Sequence, residues 1–112
     1  MKVVNRIKKS QDFIAPIRKG HAYKNQSFVI HVINNGFTVT RVGISVSAKL
    51  GNAVIRNRIK RQIRAICDSL IDYDAQHLDI VVVAKQPFLE NTFNQNKELL
   101  KSLLILGIGN TK

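Results

Sequence analysis

The sequence predicts an α+β fold, an α-β-β-α-β-α sandwich with a mixed sheet. Three observations predict it. Residues 28–33 and 78–84 are apolar runs that read as strands covered on both faces. Between them, residues 52–72 carry apolar side chains at helical spacing. A strand on each side of that helix implies a parallel pairing, because a crossover of this length joins parallel neighbours.

The elements follow in order. The chain has 112 residues, 45% of them apolar, which suits one domain over residues 1–112 and argues against wholesale disorder. No repeat, low-complexity stretch or Pro/Gly-rich linker divides it. Ser10 can cap a first helix running toward Gly20, with Asp12 favourable in its first turn. Pro16 sits too deep for that first turn, so the helix is short, kinked or begins later. Residues 28–33, broken only by His31, form the first strand. Asn34-Asn35-Gly36 is a turn signal, and a strand over residues 37–47 follows. Its apolar parity switches, with Phe37 and Val39 odd and Val42, Ile44 and Val46 even, which suggests a bulge or bend near Gly43. Phe28 and Phe37 read as core. Gly51-Asn52 opens the long helix, residues 78–84 form the third strand, and a terminal helix over residues 91–106 turns Leu99, Leu100, Leu103 and Leu104 inward.

Charge narrows the function. Eighteen Lys and Arg against seven Asp and Glu leave a net +11. Residues 1–67 hold 14 of these cations and a single acid, Asp12, while residues 68–112 are net negative. Such segregation points to a polyanionic partner, nucleic acid or an anionic membrane. In the long helix, Ile55, Ile59, Ile63, Ile66, Cys67 and Leu70 form one stripe. Arg56, Lys60 and Arg64 form a separate ridge at i, i+4 and i+8, with Asn57 and Arg61 beside it and Arg58 toward the far flank. Like charges at that spacing repel unless a polyanion supplies the counter-charge. Arg dominates, and its planar fork matches phosphate oxygens. A helix flanked by strands, lacking the layout of an isolated recognition helix, favours shape and phosphate recognition of RNA over reading of duplex DNA.

Residues 41–64, RVGISVSAKLGNAVIRNRIKRQIR, are similar to the signature of the bacterial ribonuclease P protein component. Residues 51–61 resemble that family's RNR motif nearly position for position. Arg6-Ile7-Lys8-Lys9 with Asp12-Phe13 resembles its N-terminus, Gly20 with Phe28-Val29 its first strand, and residues 79–85 with Pro87 its last strand and exit. The resemblance implies a left-handed β-α-β crossover through the RNR helix, against the general right-handed rule. It also implies a holoenzyme that removes the 5′ leader from precursor tRNA, with a catalytic RNA and its bound Mg²⁺ performing the chemistry and no catalytic residue in the protein. The partners implied are the catalytic RNA subunit and precursor tRNA, with no membrane and no obligate protein partner. Carried over by position, Lys49, Asn52, Arg56, Asn57, Arg58, Lys60, Arg61 and Arg64 contact the catalytic RNA, and Phe13, Ile17, Val29 and His31 line the cleft for the single-stranded leader. Ile17 stands where the family usually has Phe, His31 where Tyr is frequent, and Ala48 where a Lys commonly precedes Lys49. Pro16 is a further departure.

Two other functions fit the charge: a general RNA- or ribosome-binding module, and a peripheral membrane protein, which would need bulky apolar residues exposed opposite the cations. No apolar h-region follows the basic residues 1–9, so a cytoplasmic protein is expected. His21, His31 and His77 lack metal-ligand spacing and there is one Cys, so no metal site is expected in the protein. Cys67 reads as a small buried hydrophobe. Asp72, Asp74 and Asp79 lack the Gly of a calcium loop and read as a solvated helix exit.

Overall fold

Strand β4, Leu78–Ala84, is the axis of the sheet. The computed structural model describes residues 1–110 and arranges four strands in the order β1-β2-β4-β3. The others are β1, His21–Lys24, β2, Phe28–Asn34, and β3, Arg41–Val46. β2 runs antiparallel to β1 and β4, while β3 runs parallel to β4, so the sheet is mixed as predicted. The helices are α1, Ile14–Lys19, α2, Ala53–Leu70, and α3, Phe93–Asn110, and α2 forms the crossover from β3 to β4.

β1 is an element the sequence analysis lacked. Its four residues, His-Ala-Tyr-Lys, bury none fully and are too short to show a period. Pairing with β2 makes them a strand, and Asn25 closes the connection by accepting the Ser27 and Phe28 N–H groups at 3.1 and 3.0 Å.

Burial on both faces holds for β4, where only Val83 is less than buried, but not for β2. In β2, Phe28, Ile30 and Val32 are buried while Val29, His31 and Ile33 are half-buried. The difference lies in what covers the sheet. α3 seals one face so closely that a Cβ on Gly107 would lie 3.0 Å from Ile30 and Val32. The other face has the six-residue α1, too short to close it.

The predicted strand over residues 37–47 begins only at Arg41. β2 and β3 flank β4, so the link between them crosses the end of β4 and closes no hairpin. Asn35 holds that link. Its Oδ1 accepts from Phe37 N–H at 2.9 Å, and its Nδ2 donates to Val39 C=O at 3.2 Å and to Asp79 Oδ1 at 2.8 Å. Phe37 therefore lies outside the core, 52% exposed, with its ring centroid 4.4 Å from the Arg41 guanidinium. The parity switch marks where the strand starts; the β3–β4 register runs unbroken from Arg41↔Asp79 to Val46↔Ala84, without a bulge.

Asp79 is not the solvated residue expected. It is buried, and Arg41 Nε and Nη2 donate to its two oxygens at 3.0 and 2.6 Å. Those bonds raise the Arg41 pKa, because the carboxylate favours the charged guanidinium. Ser10 does not cap a helix: Ser10–Phe13 is a 3₁₀ turn and α1 begins at Ile14. The later start puts Pro16 within the first turn, where its missing N–H has no intrahelical partner to lose.

α2 matches its expected bounds within two residues. Asn52 Oδ1 accepts the Ile55 N–H at 3.0 Å and caps it. Gly51 has φ 150°, and a Cβ there would lie 2.9 Å from Ile55, so the tight approach to the helix requires glycine. Ile59, Ile63, Ile66 and Cys67 are buried in the core stripe. Burial pushes the Cys67 thiol up to about 12, which leaves it protonated and inert. α3 runs four residues past its expected end and buries Leu100, Leu103 and Leu104, with Leu99 half-buried.

Candidate nucleic-acid interface

The cations of α2 follow from its periodicity. A core stripe of isoleucines turns Arg56, Lys60 and Arg64 to one flank, half-buried, each about 6 Å further along the axis. Asn57, Arg58 and Arg61 are exposed. Among the described residues, none of these five cations forms a salt bridge, and Arg56 Nε is buried without a hydrogen-bond partner. The first acid of the helix, Asp68, comes after the ridge.

The predicted set does not form a single surface. Lys60 and Arg64 face the outer edge of β3, lining a cavity there with Val42 and Ile44. Arg58 stands on the opposite flank beside Gln62, Phe88 and Leu89. Lys49 and Asn52 sit at the start of α2, both exposed, Lys49 in the 3₁₀ turn Ala48–Leu50. The cap already engages Asn52 Oδ1, so its Nδ2 is the group left for a ligand.

Phe13, Val29 and His31 share the half-open face, and Ile17 lies on α1, the short helix that partly covers it. Phe13 lies on Gly43 so closely that a Cβ there would meet its ring at 2.6 Å, so β3 needs glycine at that position. Gly43, Val81 and His31 form one row across the sheet, with Ser45, Val83 and Val29 in the next. Two strand spacings put the backbones of Gly43 and His31 about 10 Å apart. Ile17 follows on α1, 46% exposed. His31 Nδ1 is buried without a partner, and desolvation lowers the pKa of the ring, favouring the neutral imidazole.

Arg6 and Lys8, absent from the predicted site, also line the cavity beside Lys60 and Arg64. Their alternation with Ile7 was visible in the sequence, yet only the bridge of Arg6 to Val42 brings them to the ridge. Among the described residues, no group of three or more His, Cys, Asp or Glu is placed to hold a metal ion. No helix among them is long and apolar enough to cross a membrane.

The family model for ribonuclease P matches residues 1–105. This chain belongs to the ribonuclease P protein family. The ribonuclease P protein component of Bacillus mycoides is 43% identical over 105 residues, covering 93% of this chain and 89% of that one. The component from Mesoplasma florum is 41% identical over 100 residues, covering 88% and 91%. Among solved structures, the Staphylococcus aureus RNase P protein is 42% identical with a TM-score of 0.80, covering 91% of this chain and 94% of that one. The Thermotoga maritima RNase P protein is 31% identical with a TM-score of 0.76, covering 88% and 94%. As a ribonuclease P protein component, the chain is a subunit of a tRNA-processing endoribonuclease.

Proposed function

We propose that this chain is the RNA-binding subunit of a ribonuclease P holoenzyme whose catalytic RNA removes the 5′ leader from precursor tRNA. α2 grips the catalytic RNA, and the face beneath α1 receives the leader. One observation carries the reading: Arg56, Lys60 and Arg64 form a row of cations that have no carboxylate partner among the described residues, on a protein of this family.

RNA phosphates supply the missing counter-charge, and each contact releases condensed counterions. Lys49 and Asn52 extend the contact to the start of α2 and Asn57 and Arg61 to its exposed side, while Arg58, on the opposite flank, makes a separate contact with the RNA. On the leader face, Phe13 offers a ring on which a splayed-out base stacks. Neutral His31 presents a polar nitrogen rather than a charge, and Val29 and Ile17 add apolar contact. With Ile in place of an aromatic at position 17, leader recognition leans on Phe13.

Mg²⁺ does not fit this chain's own donors, since the described carboxylates and imidazoles form no cluster. The proposal leaves the metal with RNA phosphates and routes no step through a protein site. The protein binds, positions and screens charge in a soluble, cytoplasmic ribonucleoprotein, with no membrane and no obligate protein partner.

Reconstitution with the catalytic RNA at limiting Mg²⁺ tests the reading. The expected result is cleavage only when both subunits are present, with precursor bound more tightly than mature tRNA. Robust cleavage by protein alone, or equal affinity for the two tRNAs, overturns it.

A further inference from the structure

Phe37 is an exposed aromatic ring that the fold holds in place. It is 52% exposed, and the Arg41 guanidinium lies 4.4 Å from the centroid of its ring. Its N–H donates to Asn35 Oδ1 at 2.9 Å, and Asn35 Nδ2 in turn donates to Val39 C=O and to Asp79 Oδ1. Arg41 is anchored by its two bonds to Asp79. A lone apolar side chain on a surface is ordinary, but one whose backbone and ring are both anchored has little freedom left to lose when a ligand covers it.

The position of the ring points to its ligand. Side chains two apart on a strand share a face, with their Cα atoms about 7 Å apart. Arg41 and Gly43 are such a pair on β3. Phe13 lies over Gly43, and Asp12, its neighbour in the chain, approaches Arg41 at 3.8 Å. The two rings therefore stand at successive rows of the half-open face. Gly43, Val81 and His31 form the row under Phe13, and Arg41, Asp79 and Ile33 form the row beside Phe37. Ile33 is half-buried and continues the apolar floor between them. The Arg41 charge is already met by Asp79 and Asp12, so the spot offers a stacking surface rather than a phosphate contact.

We propose that Phe37 is a second stacking platform for the single-stranded leader, taking the base next to the one on Phe13. The guanidinium backs one face of the ring and the base covers the other. Base–aromatic stacking tolerates any base, so Phe37 sets how much of the leader the protein holds rather than which sequence it prefers. This rests on the reading that the Phe13 face receives the leader. It adds one nucleotide of contact, made by the loop between β2 and β3.

The test titrates the holoenzyme, reconstituted with catalytic RNA, with precursor tRNAs whose leaders lengthen one nucleotide at a time. With wild type, one of these extensions should raise affinity about tenfold through Phe37. Phe37→Leu should lose that step, and Phe37→Tyr should restore it. The lost step should be the same size at about 50 and about 200 mM salt, since stacking releases no counterions. Phe37 lies outside the core, so Phe37→Leu should keep its Tm and its affinity for catalytic RNA and for mature tRNA. An unchanged leader-length profile overturns the proposal. So does an equal loss with mature tRNA, a loss that vanishes at high salt, or failure of Phe37→Tyr to restore the step. If wild type itself binds precursor no more tightly than mature tRNA, the proposed function fails and this inference falls with it. A preference for precursor that keeps every step in Phe37→Leu sinks the Phe37 platform alone.

Discussion

Replacing Arg56, Lys60 and Arg64 together by Gln removes the ridge charge while keeping most of each half-buried stem. If each cation meets one phosphate, the slope of log affinity against log salt falls in magnitude by about 2.7, from about 0.9 per contact. Salt rising from about 50 to about 200 mM shifts its logarithm by about 0.6, so the affinity gap between wild type and variant narrows about 40-fold over that range. Anisotropy titration of labelled catalytic RNA across several salt concentrations measures it. The free protein moves the other way: two like-charged i, i+4 pairs disappear, each worth about 0.2–0.5 kcal/mol of repulsion, so Tm should hold or rise slightly. Parallel salt lines for the two proteins would refute the phosphate contacts. A large fall in Tm would show that the ridge supports the fold instead.

Gly43→Ala places a methyl 2.6 Å from the Phe13 ring, which must move; the expected cost is about 1–3 kcal/mol in urea unfolding, with weaker precursor binding and unchanged affinity for catalytic RNA. Retention of both stability and precursor affinity would show that the ring position is unimportant. Asp79→Ala leaves Arg41 without its main partner at a largely buried site, a loss of about 2–4 kcal/mol after allowance for the partial exposure of Arg41. Arg41→Met with Asp79→Leu should recover much of that, and a double variant as unstable as the sum of the singles would contradict a coupled pair. Burial lowers the His31 pKa below 6.5, so the unfolded chain takes up the proton first. The stability contributed by the neutral ring is complete above the unfolded value and is lost as pH falls through the folded one. Wild type should therefore lose more stability than His31→Gln on going from pH ~7 to ~5, whereas superimposable pH profiles would rule out that burial cost.

Much of α2 and β4 was legible because each reports its own burial. The isoleucine stripe, the Asn52 cap and the Gly51 approach are local, and they place the Arg56–Lys60–Arg64 ridge without any tertiary information. β4 reads as buried on both faces because nearly every residue in it is apolar. β2 looked the same in sequence, yet α1 is too short to cover its second face, and hydropathy does not record how long the covering helix is. Phe37 was misplaced for a related reason: Asn34-Asn35-Gly36 signals a turn but not that the chain must pass the end of β4 before rejoining the sheet. Asp79 looked like a surface acid because its partner, Arg41, lies far away in the chain.

The sequence by itself determined the family, the mixed α/β order and the basic helix, and its resemblance to the family proposed Phe13, Ile17, Val29 and His31 for a leader cleft. Only the tertiary structure decided the strand order and hence the open edge of β3. That edge brings Arg6 and Lys8 beside Lys60 and Arg64, more than fifty positions away in the chain, and turns a ridge into one wall of a cavity. The physical reason is that periodicity encodes which side of an element must leave water. Which elements meet across that side is set by long-range packing, where several strand orders satisfy the same local pattern.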